Sequence, residues 1–210
     1  QHNLPLPNVT KGLMPDREWK SQARGQEWRI GDTLNASIGQ GYVLTSPLQL
    51  AVMTARLATN RRVIPRLIKS YSGLTMPTEK FDPLGIDPLA LKKVQTGMYS
   101  VLNSKKGTAY GSRVESKSKY FAGKTGTSQV TGISRSERED GVSKNEDKPW
   151  KYRDHALFVG YAPFKNPKYA VSVIVDHGGS GSASAAPIAR DLILAAQYNS
   201  IPPLNSYPEA

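Results

Sequence analysis

Phe121-Ala122-Gly123-Lys124-Thr125-Gly126-Thr127-Ser128-Gln129 is the stretch on which the reading of this chain turns. Its flanks and its small and β-branched residues predict a strand over residues 120–130. Gly126 removes a side chain at a point where another backbone could approach closely. Lys124 and Thr127 bring a positive charge and a hydroxyl, a pair suited to holding a carboxylate. An extended peptide added to the edge of such a strand would deliver its terminal carboxylate there. The same residues also suit an edge strand that lysine guards against aggregation, and the stretch alone leaves both readings open.

Downstream, residues 156–161 and 169–176 read as two more strands, the latter rich in β-branched residues. The link between them holds Pro163 and the turn Lys165-Asn166-Pro167-Lys168, short enough to expect a hairpin. Residues 178–184 form a small-residue loop, and residues 185–198 a helix with Ile188, Leu192 and Ala195 or Ala196 on one face. The tail from Ile201 carries three prolines and reads as loose.

Upstream, Thr45-Ser46-Pro47-Leu48-Gln49 is a helix start. Ser46 caps, Pro47 takes the first helical position, and Gln49 completes a capping box. The helix runs to about Asn60 with Leu48, Val52 and Ala55 on one face and Leu50, Met53 and Leu57 on another, so it is expected to be largely buried. A second helix spans residues 89–103 on Leu91, Val94, Met98 and Val101 or Leu102. Gly107-Thr108-Ala109 opens a short turn, residues 63–69 read as extended, and residues 71–88 as loop. Residues 1–30 read as an extended connector with one turn of helix after Pro15, residues 31–200 as the main body and residues 201–210 as a tail. The fold class is α+β, an antiparallel sheet with packed helices.

The 210 residues can bury one sizeable core, and 38% hydrophobic residues argue against disorder. No apolar run approaches a membrane span, and the first ten residues do not form a signal peptide, though an anchor could lie upstream. Without cysteine there is no disulfide and no thiolate chemistry. His2, His155 and His177 are too dispersed for a metal site, and no cofactor is expected. The net charge of +11 is spread along the chain, and residues 135–153 mix acids with bases. That pattern is a solvated loop and not a phosphate groove, so no nucleic-acid partner is expected.

Lys124-Thr125-Gly126-Thr127 resembles one of three motifs of the serine acyl-transferases that β-lactams inhibit. Gly39-Gln40-Gly41-Tyr42, Thr45-Ser46-Pro47-Leu48-Gln49-Leu50-Ala51, Gly107-Thr108-Ala109 and Lys124-Thr125-Gly126-Thr127 follow one another in the order seen in class B penicillin-binding proteins. Met14-Pro15-Asp16-Arg17-Glu18-Trp19-Lys20, Arg153-Asp154-His155 and His177-Gly178-Gly179 resemble the elongation-specific penicillin-binding protein 2 group. The resemblance covers essentially the whole chain and points to the C-terminal part of a transpeptidase domain. It implies a periplasmic enzyme, membrane-anchored through an N-terminal segment, that cross-links peptidoglycan during elongation through a serine acyl-enzyme. Its partners would be D-Ala-D-Ala stem peptides, β-lactams and membrane proteins of the elongation complex. Lys124 would supply positive potential in the catalytic cluster. Thr125 and Thr127 would hold a carboxylate, Gly126 would let it lie on the strand, and the Thr127 N–H would be an oxyanion donor.

Two motifs of that pattern have no good match. The Ser-x-x-Lys at Ser116-Lys117-Ser118-Lys119 ends five positions before Lys124, too close to face that strand across a cleft, and reads as surface. Thr33-Leu34-Asn35 mimics a Ser-x-Asn but falls too late in the order. The expectation is that the nucleophile and the Ser-x-Asn lie outside this chain, which would then be inactive alone. It would also be poorly stable, lacking the helix under its sheet. His155 is a further candidate for substrate contact, and His177 reads as structural. The rival reading is a non-catalytic cell-wall or partner-binding module of the same fold.

Overall fold

The computed structural model describes residues 4–7, 9–77, 80–132, 139, 141 and 144–208. Helix α1 (Arg17–Arg24) starts where the Asp16 carboxylate accepts the Trp19 N–H at 2.7 Å, and it stops at Gly25 in the left-handed conformation. Helix α2 (Ile30–Ser37) follows, then α3 (Pro47–Thr59). The Ser46–Gln49 box closes as expected: Ser46 N–H donates to Gln49 Oε1 at 2.8 Å, and Gln49 N–H to Ser46 Oγ at 3.3 Å. A two-residue hairpin, β1 (Ser70–Tyr71) with β2 (Leu74–Thr75), lies inside the stretch read as loop. Helix α4 (Pro88–Asn103) is capped by Asp87, whose carboxylate takes the N–H groups of Leu89 and Ala90.

Strands β3 (Ala122–Ser128), β4 (His155–Ala162) and β5 (Tyr169–Val175) form an antiparallel sheet in the order β3-β4-β5, with the expected hairpin between the last two. Helix α5 (Ala186–Tyr198) follows a π-helical turn, Gly181–Ala185, in the small-residue loop. The α+β architecture expected from the sequence is therefore present.

The central strand β4 alternates between two cores, as a period of two requires. Ala156, Phe158 and Ala162 pack with Ala186, Ala189, Ile193 and Leu194 of α5. Tyr161 packs on the other face with Ala122, Met98 of α4 and Leu57 of α3. Each fully buried side chain of the size of Phe158 or Ile193 contributes about 2 kcal/mol of transfer free energy. Helices thus pack on both faces of the sheet.

Other expectations change in detail. Helix α5 buries Ala186, Ala189, Ile193 and Leu194 and exposes Ile188 and Leu192, because small alanines let it lie close on the sheet. Helix α3 buries only Val52 and Thr54, and Met53 faces outward. The tail is docked: Ser206 is buried, bonds the Tyr198 hydroxyl at 2.9 Å, and accepts the Glu115 N–H on its carbonyl. The one turn of helix expected after Pro15 is the longer α1, eight residues, and Leu13 before it bridges to Leu44. Helix α2 had no signal because it buries none of its own residues; Ile30, Leu34 and Ile38 are all exposed. Polar contacts hold it instead, with Asp32 accepting the Arg29 N–H and the Lys20 ammonium.

Candidate active site

The decisive stretch lies on an edge. Strand β3 pairs with β4, with Gly126 opposite Leu157 and Thr127 opposite Ala156, and among the described residues no strand pairs with its other side. The pairing phase follows from one close contact. A methyl group on Gly181 would lie 2.4 Å from both the Gly126 and the Leu157 carbonyl oxygens. One point can touch both only if the two oxygens turn toward each other, so Gly126–Leu157 is a hydrogen-bonded pair. Thr125 and Thr127 then occupy non-hydrogen-bonded pairs and present N–H and C=O at the open edge. Two side chains agree: Lys124 Nζ donates to the Thr125 carbonyl, and Gln40 Nε2 to the Thr127 carbonyl at 3.2 Å.

Hydroxyls gather beside this edge. The turn after α4 places Thr108 Oγ1 3.0 Å from Thr125 Oγ1. That turn depends on Gly107, where a Cβ would sit 2.3 Å from the carbonyl oxygens of Ser100 and Val101, so only glycine lets it fold back on α4. Gln40 is carried by a second support. Trp19 of α1 packs on the Tyr42 ring at 5.2 Å, and Arg24 lies over the same ring at 5.5 Å. Buried Lys20 meets Asp32 of α2 at 2.6 Å. The Lys20 hydrogen bond first, then the Arg29 N–H, holds the Asp32 carboxyl below its ordinary range. Segments 14–20, 29–32 and 39–42 are thereby fastened together at the β3 edge.

Beyond Thr127, a cleft of about 460 Å³ opens between the β3 end, the residues before β4 and the loop before α5. Asp154 is the hub of its wall. Its N–H donates to Asn145 Oδ1 at 3.0 Å, and its carboxylate accepts Asn145 Nδ2 and the Val130 N–H, each at 3.3 Å. Its carbonyl accepts the Gly179 N–H at 2.8 Å. The two histidines meet here as well. The His177 N–H donates to His155 Nδ1 at 2.9 Å, and His177 Nδ1 donates to the Arg153 carbonyl at 2.9 Å. These bonds give both rings assigned tautomers: His155 carries its proton on Nε2, and His177 on Nδ1.

The penicillin binding protein transpeptidase domain family matches residues 1–194. The chain belongs to that family. It is 35% identical over 198 residues to the peptidoglycan D,D-transpeptidase MrdA of Haemophilus influenzae, a match covering 90% of this chain and 29% of that protein. It is similar to the crystal structure of Pseudomonas aeruginosa PBP2 in complex with WCK 5153 (TM-score 0.72, 36% identity, 96% of this chain and 40% of that one). It is also similar to PBP2 in its complex with MreC from Helicobacter pylori (TM-score 0.72, 33% identity, 93% of this chain and 32% of that one). The chain spans about 30% of the length of the curated relatives it matches.

Within this stretch of a transpeptidase domain, Lys124, Thr125, Gly126 and Thr127 come together on one open edge. Ser116 does not join them. It bonds Ser118 at 3.2 Å in the turn that leads into β3, at the opposite end of the strand from Thr127. Thr33 accepts the Trp28 indole N–H within the α1–α2 region. His155 enters β4 opposite Ser128, with Nδ1 taken by His177, while His177 itself lines the cleft. Thr108, Gln40 and His177 are site neighbours that the motif reading did not assign. Gly107-Thr108-Ala109 and Gly39-Gln40-Gly41 were visible as motifs, but contacts across 17 and 87 residues leave no mark on local sequence. Among the described residues no three His, Cys, Asp or Glu side chains are grouped to hold a metal, and no helix is long and apolar enough to cross a membrane.

Proposed function

We propose that this chain is one wall of the active site of a serine peptidoglycan D,D-transpeptidase of the penicillin-binding protein 2 type, acting in cell elongation. The observation that carries the reading is the open β3 edge, with Lys124 on it and the Thr125–Thr108 hydroxyl pair beside it. A stem peptide or β-lactam adds to this edge as an extra strand, its carboxylate held by Thr125 and Thr127 and its course allowed by Gly126. The Thr127 N–H points at the developing oxyanion, and Lys124 supplies positive potential. The serine that attacks, its lysine and the Ser-x-Asn belong to residues of the parent outside this chain. The acyl-enzyme then passes its acyl group to an amine of a second stem peptide, or to water in carboxypeptidase turnover. The parent works on the periplasmic face of the inner membrane, anchored by a further segment, with membrane proteins of the elongation complex as partners. His155 serves here by fixing His177.

Intact-mass analysis after incubation with a reporter penicillin tests this. The full-length parent takes up one adduct at a serine outside these residues, and the chain alone takes up none. An adduct on Ser116 or another residue of the chain would overturn the division of the site. A parent that takes up none would leave the alternative, a binding module of the same fold.

A further inference from the structure

The opposite end of the sheet from Thr127 carries a recess that the acyl-transfer chemistry does not use. Ala122, where β3 starts, is about 17 Å along the strand from Thr127. There a volume of about 280 Å³ opens between α4, the turn that leads into β3 and the β4–β5 turn. Its floor is aromatic. Tyr99 of α4 packs on Phe164 at 4.7 Å and on Tyr120 at 6.1 Å, and Phe164 stacks on Tyr161 at 6.2 Å. Hydrogen bonds pin the walls. The Phe164 N–H donates to the Tyr120 carbonyl at 2.7 Å. Behind the floor, Asn103 Nδ2 donates to the Tyr99 and Phe121 carbonyls at 2.8 and 3.0 Å, tying α4 to the start of β3. The recess is therefore formed before anything enters it.

Two lysines stand at its rim with their charges unspent. Lys117 and Lys165 are exposed, and neither ammonium makes an ion pair among the described residues. Lysines elsewhere are engaged: Lys20 with Asp32, Lys148 with Asp154, and Lys119 over the Tyr198 ring at 4.0 Å. Among the described residues no Asp or Glu lines the recess. The Tyr99 phenol, pushed up first by burial and then by Tyr120, stays a neutral donor. An aromatic floor below two free cations is complementary to an aromatic side chain with carboxylates beside it. The volume suits one large side chain and falls below that of a drug-sized ligand. A concave, preformed seat of this kind takes a protruding anchor, which a flat lipid surface does not offer.

We propose that this recess docks a partner protein through a short acidic segment. One aromatic side chain of the partner sits on Tyr99 and Phe164, and carboxylates on either side of it pair with Lys117 and Lys165. The docking site stands apart from the reading of the β3 edge. It leaves Lys124 and Thr127 uncovered, so a docked partner and an edge-bound ligand are held at the same time.

The test uses the full-length parent and a labelled peptide with one tryptophan between glutamates, read by fluorescence anisotropy. Two control peptides carry serine in place of the tryptophan, or glutamines in place of the glutamates. The probe binds the wild type, and the serine control binds about tenfold more weakly, the scale of a lost aromatic anchor. Lys117→Gln and Lys165→Gln, both at exposed positions, each weaken the probe by about two- to fivefold, the scale of one exposed ion pair, as the glutamine control does. Acylation by a reporter penicillin keeps its rate when the probe is saturating. A probe that does not bind, a control peptide that binds as well as the probe, or an affinity unchanged in both variants overturns the docking site. A probe that blocks acylation overturns it too, because that peptide lies on the β3 edge. Phosphatidylglycerol vesicles form a separate arm. Vesicles that bind the wild type and fail on both lysine variants, with no binding of the probe, would reassign the recess to a lipid headgroup.

Discussion

The Thr108 hydroxyl lies 3.0 Å from the Thr125 hydroxyl, across 17 residues of chain, and when Thr125 gives its proton to a ligand Thr108 is the donor of the bond between them. If Thr125 binds a carboxylate, Thr108 accepts no part of the charge itself but keeps the Thr125 proton aimed. Thr108→Val removes that partner at nearly constant volume from an exposed position. The parent's rate of acylation by penicillin is expected to fall about fivefold, the value of one hydrogen bond near 1 kcal/mol, with an unchanged Tm. Equal rates in the two proteins would take Thr108 out of the site.

Lys124 is exposed, and among the described residues its ammonium bonds only to the carbonyl of the next residue. Removing it costs little folding energy, since exposed substitutions of this kind stay within about 0.5 kcal/mol. Lys124→Ala in the parent should nonetheless slow acylation about a hundredfold, as expected for the loss of a preorganised electrostatic contact. Stopped-flow acylation alongside thermal melting separates the two effects. A variant that acylates at the wild-type rate would leave Lys124 without a part in the chemistry.

Gly181 touches the backbone of the same strand. A Cβ there would be 2.4 Å from two carbonyl oxygens and 3.0 Å from the Gly126 nitrogen, and no rotamer relieves a backbone clash. Gly181→Ala must push the π-helical turn off β3. A loss of about 1–3 kcal/mol, the cost of overpacking, is expected in urea unfolding of this chain. Gly126→Ala is the control: its Cβ meets only the Leu157 Cβ, at 3.3 Å, and a smaller loss follows. The reverse order of the two variants would contradict the pairing phase assigned to β3.

The Lys20–Asp32 pair gives the α1–α2 support an acid limit. Asp32 titrates below its ordinary value of 3.8, held there first by the Lys20 ammonium and then by the Arg29 N–H. A depressed folded-state pKa means stability that is complete above about pH 4 and is lost as pH falls through the lowered value. Tryptophan fluorescence, with Trp19 on Tyr42 and Trp28 bonded to Thr33, reports this region. The wild type should show a transition below about pH 4 that Asp32→Asn lacks, the variant being already loosened at neutral pH. Identical acid profiles would rule the pair out as the fastener.

Much of this architecture was legible because it is written in short range. The Ser46–Gln49 box, the helical spacing of Leu91, Met98 and Leu102 along α4, and the β-branched run of β5 with its short turn from β4 all act within a few residues. What stayed hidden was decided by partners distant in sequence. Helix α2 has no apolar face of its own turned inward, so periodicity could not reveal it; Lys20, twelve residues away, secures it. The face of α5 was misjudged because burial followed close approach of alanines and not the largest side chains. At the site, the motif located the strand, but the open edge, the Thr108 contact and the place of His177 beside the cleft are tertiary facts.

Tyr161 sets the opposite, alkaline limit. It stands on β4 with its ring buried between Met98, Ala122 and Leu57, and burial pushes its phenol from 10.0 up to about 12. A raised folded-state pKa means stability that is complete below the unfolded value and is lost as pH rises through the folded one. The window therefore opens near pH 10.0 and closes at about 12. Tyr161→Phe keeps the ring and has nothing to ionise. The difference in urea midpoint between wild type and variant should stay constant up to about pH 10 and then swing in favour of the variant. Tyr99, whose pKa is also raised by burial, is present in both proteins and cancels from the difference. A difference that stays flat through the window would mean that Tyr161 ionises in place, and that the core between α3, α4 and the sheet opens to water without unfolding.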